Sequence, residues 1–387
     1  MRISVKRARR SPALYAESAR RTIELIAAAF ILVCAALWLA ACAPPLQSQP
    51  GGPVVTLAPG LITPMPTALP NLVGPGAFPP GINPLTGQPA DPAALARRPL
   101  IVQISNAPPM VRPQAGLAAA DVLFEYEVEG GLTRFSAVYL SQLPERAGSV
   151  RSARLIDDHL IPMFSAAFAY SGASEGVTAV LNGAGYAART FSNMQFDVPY
   201  FWRDPAIEPP HNLFVNPAAL VRDFPAQTAG PVDLTGWAFR AEPPPNSIGP
   251  AAGATITYLS TTAAWVYDAA SNLYVRSSDG LPHTDAATGA PLSAANVLIL
   301  RAPHALSDIV ESEWQGQPVY GLAIDLAAGG EALLLRDGQA YDARWARPAP
   351  DGLIRLFTPA GAGLPLQPGT TFVQVVASTA PGAVTLR

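Results

Sequence analysis

Apolar and polar positions alternate with period two over Asp121–Glu129, and Leu132–Leu140 reads as the return strand. Gly130-Gly131 separates the two runs. Period two places every second side chain on one face of a strand, and a glycine pair between two strands predicts a hairpin. Pro99–Ser105 reads as a buried strand. Ala167–Gly172 reads as a short buried strand, and the spacing from Ser174 to Leu181 suits a helix. The spacing after Gly148 predicts another helix that starts near Ser152. Beyond residue 250 turn signals recur at short intervals and helical spacing is scarce. Nine strands are expected there: Thr255–Leu259, Ala264–Asp268, Asn272–Arg276, Asn296–Arg301, Val319–Asp325, Glu331–Arg336, Gln339–Arg344, Leu353–Phe357 and Thr371–Val376. Asp337-Gly338 turns one into the next. The predicted fold is an α+β N-terminal domain over 95–245, a mixed sheet with a few helices. A mostly-β domain follows over 250–387, as a sandwich, curved sheet or partial barrel. In the latter Trp265, Trp314 and Trp345 are expected mainly as core.

The first 94 residues follow a different pattern. Residues 1–24 are basic, and Leu25–Ala41 then runs without a charge, which is short for a membrane span and suits a secretory signal. It ends in Leu39-Ala40-Ala41-Cys42, which resembles a bacterial lipobox. That resemblance implies cleavage after residue 41, acylation (palmitate class) of Cys42 and a body held to the membrane on its extracytoplasmic face. Ala43–Pro92 then holds 14 prolines in 50 residues with a single charge, Asp91. Proline fixes φ and removes donors, so residues 42–94 are expected to form a semi-extended tether. Packing against the body is an equal alternative for Leu85–Gln88.

Composition narrows the chemistry. The two cysteines, Cys34 and Cys42, both belong to the signal, so the exported part has no disulfide, no thiol nucleophile and no thiolate metal site. Lys6 is the only lysine. The whole chain has a net charge of -3; beyond residue 41 there remain 18 basic and 26 acidic side chains, a net of -8. A nucleic-acid partner is not expected of such a chain. The four histidines, at 159, 211, 283 and 304, show no ligand spacing, and neither a metal nor a cofactor is expected.

The candidate site is drawn from several stretches. Glu125, Glu127 and Glu129 share one face of their strand, and a two-residue turn would set Glu127 opposite Arg134. Arg151 and Arg154 would flank the start of the helix near Ser152, a poor place for cations unless an anion sits between. Pairing with Glu127, Glu129, Asp157 or Asp158 is the equal alternative. The loop from Tyr200 to Phe214 is rich in aromatic and polar groups and brings Trp202, Arg203, Asp204, His211 and Asn212. These ten residues (Glu127, Glu129, Arg134, Arg151, Arg154 and the five of the loop) suit recognition of a cell-wall glycan, a peptide or an envelope protein. A glycan-acting enzyme with Glu127 or Glu129 as acid or base is the alternative. That chemistry requires two open carboxylates.

Several of these stretches carry a family likeness: Arg98–Ile104, Arg112–Leu117, Ala120–Phe135, Val150–Arg154, Tyr200–Asp204 and Pro210–Leu213, then Asn296–Ile299, Leu334–Gly338, Trp345 and Leu366–Thr370. Together they resemble the YerB-type bacterial lipoproteins, a family of unknown function. The resemblance covers about 290 residues and implies fold and location. Ser171-Gly-Ala-Ser174 departs from the more glycine-rich turn expected there.

Overall fold

The computed structural model describes residues 71–387. The expected signal, the acyl position Cys42 and the tether as far as residue 70 lie outside the described residues. From Asn71 on, the proline-rich segment packs on the body. Val73 bridges to Phe239, Leu85 is fully buried, and Asn83 and Thr86 are buried beside it. Asp91 caps the single turn Pro92–Leu95 by accepting from the Ala93 amide at 2.9 Å.

The centre is an eleven-stranded sheet built from both halves of the chain. The first half supplies β1 (Leu100–Ser105), β2 (Val122–Glu127), β3 (Thr133–Tyr139), β4 (Ala167–Tyr170) and β5 (Thr190–Ser192). A separate ribbon pairs β6 (Phe201–Arg203) with β7 (Leu213–Val215). The second half begins with β8 (Gly253–Thr257), β9 (Thr262–Asp268) and β10 (Leu273–Ser278) of a smaller antiparallel sheet. It continues with β11 (Asn296–Ala302) and the two-stranded hairpin β12 (His304–Trp314) and β13 (Gln317–Ile324). Then come β14 (Gly330–Arg336), β15 (Gln339–Ala346), β16 (Arg355–Phe357) and β17 (Thr371–Ala377), and β18 (Val384–Leu386) closes the small sheet. The large sheet runs β16-β15-β14-β11-β17-β2-β3-β1-β4-β5, with Gly249–Pro250 added beside β15.

The order explains why β1 and β17 read as largely apolar, with Gln103 and Gln374 buried among apolar neighbours. One face of the large sheet, with Val102, Ile104, Leu123 and Phe135, meets Ile256, Trp265 and Tyr274 of the small sheet. The other face, with Phe124, Val138, Val373 and Val375, is covered by α1 (Asp157–Met163) and α2 (Glu175–Gly183). Strands covered on both faces have no polar side to show. β17 also joins the two halves, parallel to β11 on one side and to β2 on the other. Trp265 and Trp345 are buried, whereas Trp314 is 70% exposed at the tip of the β12–β13 hairpin.

Three local expectations are corrected. The β2–β3 turn is a three-residue loop, Glu129–Gly131, with both glycines at positive φ (72° and 69°). Glu127 therefore stands opposite Thr133, and Arg134 opposite Tyr126. The helix expected near Ser152 starts at Asp157, because the residues before it are held extended. Val150 donates to the Leu213 carbonyl (2.7 Å) and Arg151 to that of Gln103 (2.9 Å). In the Tyr200–Phe214 segment, Phe201–Arg203 and Leu213–Phe214 pair as strands. β12 has no counterpart among the expected strands; its outward face alternates only loosely and its pairing with β13 is bulged.

Candidate functional site

β1, β2, β4, β5, β11 and β17 all run in one direction, with β3 reversed between β1 and β2. Their carboxyl ends therefore fall along one edge, the usual side for ligands in sheets with parallel strands. Ser105, Glu127 and Ser192 end three of these strands there. The extended segment 149–154 lies across the same edge, pinned to β1 and β7 and to Ser171, whose amide donates to the Arg151 carbonyl at 3.0 Å.

Arg151 sits in the middle of this segment. Its Nη2 lies 2.9 Å from His211 Nδ1 and its Nε donates to Ser105 Oγ at 3.3 Å. An arginine can only donate, so His211 Nδ1 is the acceptor and the proton of neutral His211 is on Nε2. Burial holds the Arg151 pKa down, and Arg154 and Arg203 push it further the same way. His211 is likewise lowered, first by burial and then by Arg151. Ser149 donates its hydroxyl to the His211 carbonyl and fixes the backbone there. Arg203 Nη1 donates to Asn212 Oδ1 at 2.9 Å, and Asn212 Nδ2 donates to the Asp204 carbonyl at 3.2 Å. No carboxylate among the described residues pairs with Arg151 or Arg203.

A second group forms beside the first. Arg154 Nε pairs with Glu129 Oε2 at 2.5 Å, and its Nη1 lies 3.4 Å from Glu311 Oε2. Glu129 Oε1 accepts from the Leu322 amide at 3.2 Å, so Arg154 and Glu129 together fasten the β12–β13 hairpin to the body. Burial raises the Glu311 pKa, and Glu311 Oε1 is buried without a partner. Arg134 donates to the Ser152 carbonyl; burial, then Arg154, lower its pKa to about 9. Beneath it lies a buried polar cluster of Gln103, Tyr126, Ser136 and Asp157. Tyr126 Oη is 2.8 Å from Gln103 Nε2 and 2.7 Å from Ser136 Oγ, and Asp157 Oδ2 accepts from the Arg154 amide at 2.7 Å. Burial lifts the Asp157 carboxyl to about 7.

Sequence-predicted residues thus divide three ways. Arg151, Arg203, His211 and Asn212 come together. Glu129, Arg134 and Arg154 form the adjoining cluster, with Arg154 spent on carboxylates rather than on a helix end. The others turn elsewhere: Glu127 Oε1 accepts from the Leu259 amide at 2.8 Å, and Asp204 pairs with Arg146 at 2.7 Å. Trp202 tilts over Phe214, one residue away from Arg203 along a strand and so on the opposite face of the ribbon. Glu129 is thus held by Arg154, whereas Glu127 is half-buried, in no ion pair, and accepts from one backbone amide. Ser105, Ser149 and Glu311 were not anticipated. Ser105 could have been, since it ends a predicted buried strand; Glu311 could not, because nothing in its surroundings marks β12. Among the described residues no group of three or more His, Cys, Asp or Glu could hold a metal ion. A polar cleft of about 260 Å³ opens at the other edge of the sheet between Thr86, Asp91, Asp121, Ser141 and Thr370, and none of the predicted site residues lines it.

Fold and site define an α+β protein of two sequence segments that complete one another's sheet, with a group of arginines and a histidine at its carboxyl edge. The chain belongs to the family described as "Protein of unknown function (DUF3048)": its N-terminal domain matches residues 85–230 and its C-terminal domain residues 254–373. It is 32% identical over 299 residues to "Putative lipoprotein YerB" of Bacillus subtilis, covering 76% of this chain and 85% of that protein. The crystal structure of YerB protein from Bacillus subtilis superposes with a TM-score of 0.65 at 29% identity, over 79% of this chain and 99% of that one.

Proposed function

We propose that this protein is a lipoprotein anchored through acylated Cys42, extracytoplasmic, and that its body binds an anionic cell-envelope ligand. The ligand is a glycan, peptide or partner protein that offers a carboxylate or phosphate group. One observation carries the reading. Arg151 is half-buried and charged, is flanked by Arg154 and Arg203, and has only a hydroxyl and a neutral imidazole for company. A buried cation without a counter-ion is costly, and a bound anion would supply one. His211 Nε2–H and the free donors of Arg203 stand beside it to complete the contact. The likeness to a protein named as a lipoprotein supports the anchor.

The test is sedimentation of the full chain with purified cell wall and with membranes. Arg151→Ala should lower wall binding at least about tenfold, the worth of one charge-assisted contact, with an unchanged melting temperature. Cys42→Ser should release the protein from membranes. Wall binding unaltered by Arg151→Ala would sink the binding site, whatever the fate of the anchor.

A further inference from the structure

A second cationic pair lies at the opposite edge of the sheet, and the reading of it does not depend on the Arg151 site. β1, β4 and β5 are neighbours and parallel, with Leu100 level with Ala167 and Phe168 level with Thr190. Arg98, Ser165 and Arg189 come just before these three strands. They therefore share the amino edge, with Ser165 between the two arginines. Strands two apart are about 10 Å from one another, a gap that two arginine side chains can close onto one small anion.

The partners of these side chains are few. Arg98 Nη1 donates to the Ser165 carbonyl at 2.5 Å, which aims its guanidinium across the start of β4. The Arg189 amide donates to the Tyr186 carbonyl at 2.9 Å, but its side chain has no hydrogen bond or ion pair. The Ser165 hydroxyl likewise has no partner, and no carboxylate among the described residues pairs with either arginine. Both Nε atoms are buried without an acceptor, while each arginine as a whole is half-buried. Burial and the nearness of Arg98 both lower the Arg189 pKa, as expected for two like charges held together. Two guanidinium forks and a hydroxyl match an acceptor with three or more oxygens better than a carboxylate with two.

We propose that Arg98, Arg189 and the Ser165 hydroxyl bind a phosphoryl group, either free or within a phosphodiester polymer. Isothermal titration calorimetry on the detergent-solubilised full chain tests it, with inorganic phosphate and a glycerol-phosphate oligomer as probes. Arg151→Ala is the background, so that the site proposed above contributes nothing. In that background at least one probe should bind. Adding Arg189→Ala should weaken it at least about tenfold, and Arg189→Lys should retain part of the affinity. The melting temperature without ligand should stay unchanged in Arg189→Lys, which keeps most of the packed stem. An oligomer that binds more tightly than phosphate identifies the polymer as the source; equal binding identifies the free ion. No heat from either probe in the Arg151→Ala protein, or heat that Arg189→Ala leaves undiminished, overturns the proposal.

Discussion

At the scale of single residues, burial dominates the charges. Asp157 is fully buried, and its carboxyl titrates near 7 rather than 3.8. Below about pH 3.8 folded and unfolded chains both hold this proton. Between there and 7 only the folded chain does, so this group's contribution to stability is lost as pH rises, by about 1.4 kcal/mol per unit at most. His283 works in the other direction. Burial and Arg276 depress it to about 2, so between about 2 and 6.5 the unfolded chain binds the extra proton and stability falls as pH drops. Asp157→Asn should therefore gain on the parent as pH rises from 4 to 7. Urea midpoints of the two proteins across that range measure this, and parallel curves would mean that Asp157 is ionised when folded. Cys42, Arg151 and the Tyr200–Asn212 stretch could be picked out from residue types and neighbours alone. Which arginine was already paired could not, because Glu311 reaches Arg154 from 157 positions along the chain.

At the scale of elements, periodicity located strands well and turns less well. The glycine pair at 130–131 pointed correctly to a hairpin, but tertiary packing chose its loop. Leu259 packs against Gly131, where an added Cβ would lie 2.4 Å from its side chain, and Ser260 donates to the Gly131 carbonyl. That contact draws the loop out to three residues and shifts the register by one, and Arg134 moves away from Glu127 as a result. Gly131→Ala combines a positive φ with this clash and should cost at least about 1 kcal/mol, read from chemical denaturation. Asp337-Gly338, by contrast, forms the two-residue turn its sequence calls for, with φ of 52° and 68° and Arg336 opposite Gln339. There the local chemistry and the packing agree.

At the scale of the whole molecule, the halves cannot be separated cleanly. β17 fills the place between β11 and β2, and without it each half would show an open edge. A buried ion pair links the halves on the other face: Arg276 Nη2 meets Glu125 Oε2 at 2.6 Å with both side chains fully buried. Asn106 and Thr133 donate to the other carboxylate oxygen of Glu125, and Phe135, Trp265 and Phe372 surround the guanidinium. Residues 71–387 should therefore unfold in one calorimetric transition. Arg276→Met, which strands Glu125, should lower stability by about 3–5 kcal/mol without splitting that transition. Two separate transitions would show that the halves are energetically independent.

The sequence by itself determined what depends on near neighbours. A lipobox-like motif was legible at Cys42, the proline-rich approach from composition, and most strands from their apolar pattern, since covered and open faces leave their period in the chain. Only the tertiary structure decided what depends on distant neighbours. It drew five strands of the second half into the sheet of the first, engaged Glu129 with Arg154, and left Arg151, Arg98 and Arg189 without counter-ions. Whether a charge is paired depends on which residues converge in space, and those partners stand up to about 190 positions apart, where no local pattern can record them.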